Sequence, residues 1–164
     1  MALAAMIFAI TLTAACQPGA ASDEAPLNSA LVTQAESSFD GNLPPGFSLC
    51  RSEVGVDYVS FEVRRGAVVY LTLGFSAHPF GNDGPDGDHI APGETGGHVR
   101  RSPDGRLETL MVTLDGREHL RLSMARTSQT YLGGVWYLIV DVSRDLSADR
   151  VAVAEEIAAT VHAR

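Results

Sequence analysis

Residues 106–125, RLETLMVTL-DG-REHLRLSMA, constrain the fold more tightly than any other stretch of the chain. Asp115-Gly116 is a favoured two-residue hairpin turn, because both central positions of that turn need φ > 0. The flanks 106–114 and 117–125 are therefore predicted to pair as antiparallel strands. The simplest register opposes Met111 to Leu120, Thr109 to Leu122 and Leu107 to Met124, and puts this set on one buried face. The other face carries Arg117, His119 and Arg121, suited to solvent or a partner.

A second hairpin is expected upstream. In VDYVSFEV (56–63), Val59, Phe61 and Val63 alternate with Ser60 and Glu62, as in a half-buried strand. RRGA (64–67) supplies a turn, and VVYLTLGF (68–75) has the β-branched and aromatic composition of a strand. VWYLIVDV (135–142) is almost continuously apolar and reads as a central strand covered on both faces. Gly133-Gly134 before it is a candidate bulge. The chain closes with a helix: Ser147 as N-cap, Asp149 at the positive end of the dipole, and Leu146 with Val151 as a hydrophobic staple. Val151, Ala154, Ile157, Ala158 and Val161 form its apolar stripe. Residues 27–40 allow a short helix with a weak stripe of Leu27, Leu31, Gln34 and Ala35, and GNLPPG (41–46) ends it. The expected class is α+β: a mostly antiparallel sheet of two hairpins and a central strand, with the C-terminal helix packed on it.

The amino terminus points to an address. Residues 2–15, ALAAMIFAITLTAA, hold no charge and no proline. Fourteen residues at about 1.5 Å each are too short for a bilayer core of roughly 30 Å but suit a signal-peptide apolar region. The run ends in Thr13-Ala14-Ala15-Cys16. This resembles the lipobox of bacterial lipoproteins, small residues before an obligatory cysteine, with Thr13 where that family most often has leucine. The resemblance implies a diacylglyceryl group on the Cys16 sulfur, cleavage before Cys16 and acylation of the new amino group. Gln17 at the second position is similar to the outer-membrane sorting pattern of Gram-negative bacteria, which faces the domain to the periplasm. The domain plan is then a signal peptide at 1–15, a lipid-anchored tether at 16–44 containing the possible short helix, and one α+β domain at 45–164. If Cys16 is lipidated, Cys50 is expected to be a free thiol; if not, a Cys16–Cys50 disulfide is open to the chain in an oxidising compartment.

A net charge of −8 with twelve basic residues, all arginine, argues against nucleic acid, which needs clustered cations. The partners expected are the bilayer, through acylated Cys16, and an envelope protein or small ligand. Between the hairpins, 76–105 reads as one long acidic, glycine-rich loop. In it Asp83, Asp86, Asp88, His89 and His98 are candidate ligands for a divalent cation; His78 lies in the same loop. No Gly-x-Ser-x-Gly, P-loop or His-Glu-x-x-His is present. Glu155 and Glu156 are read as a solvated helix face, His119 and His162 as surface residues, and Trp136 as core. Two functional classes follow. One is a non-enzymatic binding or accessory module with no cofactor. The alternative is a small metal-assisted hydrolase-like enzyme built on the His/Asp loop, or a plain secreted domain.

Overall fold

The computed structural model describes residues 25–77, 95–131 and 134–164. Helix α1 (Ala25–Ser37) and the short β1 (Phe39–Asp40) come first. They are followed by β2 (Ser48–Val54), β3 (Tyr58–Arg65), β4 (Val68–Ser76) and β5 (Thr95–Arg101). Next are β6 (Leu107–Leu114), β7 (Arg117–Tyr131) and β8 (Gly134–Val142), then α2 (Ala148–Ala158) and the short β9 (His162–Ala163). Seven strands form one antiparallel sheet in the order β2-β3-β4-β8-β7-β6-β5, and β1 pairs with β9. The class is α+β, mostly sheet, as the patterning implies.

The main core lies on one face of the sheet. Val59, Phe61 and Val63 of β3 align with Phe75, Leu73 and Leu71 of β4, and these with Leu138, Val140 and Val142 of β8. All nine are buried, and Leu31, Val32 and Ala35 of α1 join them with Val151, Ala154, Ile157 and Ala158 of α2. Both helices therefore cover the same face, which is how the apolar stripe of α2 is buried. Phe39 meets Phe61 edge to face at 5.9 Å, and Trp136 stacks on Phe75 at 4.7 Å. Residues 25–40, expected within the tether, thus belong to the folded unit, and the fold begins well before residue 45. The C-terminal end locks this arrangement. Arg164 N–H donates to Ser38 O at 2.8 Å, and its guanidinium pairs with the Asp40 carboxylate. That guanidinium holds the Asp40 carboxyl below its ordinary range.

Several expectations are corrected. Asp115 and Gly116 have φ of 51° and 73°, as the hairpin turn demands, and Met111 opposes Leu120. Beyond that pair a bulge leaves Arg121 as an extra residue on β7, so Leu110 opposes Leu122, Thr109 opposes Ser123 and Leu107 opposes Ala125. Leu110 and Val112 are buried, whereas Leu107 is 41% exposed. Both faces of β6 carry apolar residues, so alternation alone could not choose between them. In β8 only one face is fully buried, Trp136, Leu138, Val140 and Val142, while the residues between are half-buried. The long loop is shorter than expected, because Thr95–Arg101 is an edge strand paired with β6. Ser147 is the N-cap of α2 by backbone geometry but makes no side-chain cap bond. Its hydroxyl instead bonds the Asp149 carboxylate, which lowers that carboxyl's pKa.

The β2–β3 connection shows a local constraint with a measurable consequence. A Cβ on Gly55 would lie 2.2 Å from Cε1 of Tyr58. The Tyr58 hydroxyl donates to Glu53 Oε1 at 2.5 Å, and this bond to a carboxylate raises the phenol pKa above 10.0. Gly55→Ala must push the ring aside and break that bond, and Glu53→Gln removes the charge from it. Both variants are expected to bring the Tyr58 phenol back toward 10.0 in an NMR titration of its ring resonances. A value unmoved in both would show that Glu53 does not set it.

Candidate functional site

The helix-free face of the sheet carries polar groups beside a second buried apolar cluster, Leu110, Val112 and Leu122. Cys50, Glu62, Thr72, Asp141, Leu122, Leu110 and Val99 stand in one row across it, set by the register of successive strands. Arg64 pairs with Glu62 at one end. At the other, Arg101 Nε meets Glu108 Oε1 at 2.7 Å across the β5–β6 pair.

His98 is the one candidate cation ligand that falls within the described residues; Asp83, Asp86, Asp88 and His89, like His78, lie outside them. On β5, His98 Nε2 sits 3.3 Å from Glu118 Oε1 and accepts from Arg100 Nε at 3.2 Å, while Arg100 Nη2 donates to Glu118 Oε2 at 2.6 Å. A single ring nitrogen cannot accept from Arg100 and donate to Glu118 at once. The bare tautomer suits the arginine, and the protonated ring suits the glutamate. A divalent cation on Nε2 would take the lone pair that Arg100 uses and would stand beside its positive charge. Among the described residues, no group of three His, Cys, Asp or Glu side chains is placed to hold a metal ion. The neighbouring β5–β6 turn is held by Asp104, whose carboxylate accepts from Ser102 Oγ at 2.5 Å and Arg106 N–H at 3.1 Å. The Ser102 bond is the larger cause of its lowered pKa.

One charged group is buried where the sequence reading suited it to solvent or a partner. Arg121 is 3% exposed and donates to Val142 O. Burial lowers its pKa, the Asp141 charge opposes that shift, and Arg144 adds to it. The bulge at β7 is the cause: it removes one residue from the alternation and turns Arg121 toward the sheet. Glu155, expected on a solvated face, instead ties α2 to that same bulge. Its Oε1 accepts Leu120 N–H at 2.6 Å, and its Oε2 lies 3.2 Å from His119 Nδ1. The His119 side chain is 13% exposed, so it is a packed residue at the helix–sheet junction rather than a surface one. Glu156 and His162 are exposed, and Trp136 is core, as expected. No local signal marks the Glu155 contact, because its partners lie 35 and 36 residues away in sequence.

Cys50 is 8% exposed and disulfide-bonded, so the free thiol expected of it is corrected. Cys16, the other cysteine of the chain, lies outside the described residues. Burial at the edge of the sheet suits a small hydrophobe in either covalent state. An apolar crevice lined by Phe39, Leu43, Leu49, Val63, Leu73 and Val161 offers no ionisable group. Among the described residues, no helix is long and apolar enough to cross a membrane. Comparison with protein-family models, with curated proteins and with solved structures returned no match.

Proposed function

We propose that the chain is a bacterial envelope lipoprotein, anchored through an acylated Cys16 and acting as a non-enzymatic binding or accessory module. One observation carries this: an uncharged apolar run that ends in Thr13-Ala14-Ala15-Cys16. Small residues before the cysteine allow close approach of a processing enzyme, and the run is the length of a signal segment. Each buried lipid CH₂ contributes about 0.8 kcal/mol, so two or three chains on one cysteine anchor a protein firmly while one chain alone does so marginally. The ion pairs of the sheet, Arg64–Glu62, Arg101–Glu108 and Arg100–Glu118, are closed on themselves and support a binding surface more readily than an acid–base pair.

A second reading has its own observation. Cys50 is recorded as disulfide-bonded, and a bond to Cys16 would take the sulfur that lipidation consumes, so a chain oxidised in that way is a plain secreted domain. Intact mass of protein extracted from bacterial membranes separates the two, measured beside Cys16→Ala. A chain starting at Cys16 plus two or three acyl chains is the expected result. Cys16→Ala is expected to lower the membrane-bound fraction at least ~10-fold. An unacylated chain two hydrogens light overturns the anchor and leaves the secreted domain.

A further inference from the structure

We infer that a single amphipathic helix of a partner protein docks on the sheet beside α2, in a groove floored by β6 and β7 and rimmed by β5. The inference rests on the binding-module reading and not on the anchor. It follows from the two faces of β6. Leu110 and Val112 are buried on the helix-free face, so Leu107, Thr109 and Met111 stand on the helix-bearing one. Opposite them on β7 are Ala125, Ser123 and Leu120, and Leu120 packs against the main core. None of these six is buried, and Leu107 is 41% exposed. The cause is where the helices sit: α2 packs on β4, β8 and β7, and α1 on β3. Two strand spacings from β7 to β5 leave a shelf of ~10 Å, the width of one helix. Along Leu107–Met111 it is ~14 Å long. Such a floor falls far short of the ~800 Å² that each partner buries in a stable interface between two folded copies, and suits one short helix instead.

Charge fixes which helix fits. Glu155 accepts Leu120 N–H of β7, so its flank of α2 is the wall of the shelf. Ala148, Ala152 and the C-cap Ala159 share that flank and are exposed, which lets a second helix approach closely. Asp149 and Glu156, three before and four after Ala152, make the outer strip of this wall acidic. The far rim is cationic. His98 and Arg100 stand on β5 beside Met111 and Thr109. Both oxygens of Glu118 are engaged there, one beside His98 and one by Arg100 Nη2, and Arg100 Nη1 has no acceptor among the described residues. A helix with basic residues along its edge toward α2, acidic residues along its edge toward β5, and Leu or Ala between them complements both rims.

Methyl NMR of the full chain tests this, with a synthetic helical peptide that carries Leu and Ala on one face, Lys along one edge and Glu along the other. Shifts are expected at Leu107, Met111, Ala148 and Ala152, and not at Val99 or Ile139, which pack on the opposite face. Thr109→Arg fills the open floor and is expected to abolish them, with a urea midpoint near the parent's as the check on folding. Arg100→Glu is expected to weaken this peptide about two- to five-fold, and to strengthen one with Lys along both edges by a similar factor. Shifts confined to Val99 and Ile139 overturn the inference and leave the binding reading standing. Affinities for both peptides that ignore Arg100→Glu overturn it too, because charge then does not choose the occupant. No shift at any methyl, at millimolar peptide, overturns the inference and the binding reading together.

Discussion

A chain cut to begin at residue 45 is expected not to fold, whereas one spanning 25–164 is expected to unfold cooperatively. The shorter chain loses Leu31, Val32, Ala35 and Phe39, all buried in the main core. At about 1.5–3 kcal/mol for each large apolar side chain, Leu31, Val32 and Phe39 together contribute roughly 5–9 kcal/mol. That is comparable to the whole net stability of an ordinary domain, about 5–15 kcal/mol. The loss also strips β1 from β9 and exposes Phe61, Val63 and Leu73 beneath it. Both truncations lack Cys16, so neither lipidation nor a bond to that cysteine distinguishes them. Far-UV circular dichroism with urea titration is the measurement. A 45–164 chain that unfolds cooperatively, with a midpoint near that of 25–164, would show that α1 is an appendage.

What was legible in the sequence divides along physical lines. Strands whose period-2 pattern is backed by β-branched and aromatic residues could be read, and β3, β4 and β8 lie where Val59–Phe61–Val63, VVYLTLGF and VWYLIVDV place them. The turn at Asp115-Gly116 was legible because few residues tolerate its φ. The apolar stripe of α2 was legible for the same kind of reason: Val151, Ala154, Ile157 and Ala158 share one face and are buried on it. Edge strands were not. In β5, TGGHVRR has one apolar side chain among glycines and cations, and pairing with β6 alone makes it a strand. In β2, SLCRSEV breaks its alternation at a bulge between Arg51 and Glu53.

The polar contacts were the least legible part. Arg121 owes its burial to one extra residue in β7, Glu155 finds its partners beside that residue, and no composition or spacing rule announces a bulge inside an otherwise regular run. The candidate cation loop shows the same limit from another side. His98 could be named as a ligand type from its chemistry, but its neighbours are Arg100 and Glu118, chosen by the β5–β6–β7 register rather than by loop sequence.

Arg121→Ala is expected to destabilise the fold by about 2–4 kcal/mol, and Arg121→Met to cost less. The guanidinium is almost wholly out of water, and that desolvation is the main cause of its lowered pKa. Methionine fills a similar volume with a flexible apolar chain and removes the buried charge. Alanine removes the charge too, but it leaves a cavity beside Val142, whose carbonyl accepts from the arginine. The two variants share the loss of that hydrogen bond and differ in packing, so urea midpoints separate the terms. Asp141 is the control, because its charge favours the cationic arginine and would lose that partner in both variants. Adding Asp141→Asn to Arg121→Met should therefore restore whatever stability the single variant gives up. If Arg121→Met is as damaging as Arg121→Ala and Asp141→Asn does not rescue it, the carbonyl bond at the β7 bulge is what the arginine supplies, and the buried charge is tolerated to keep it.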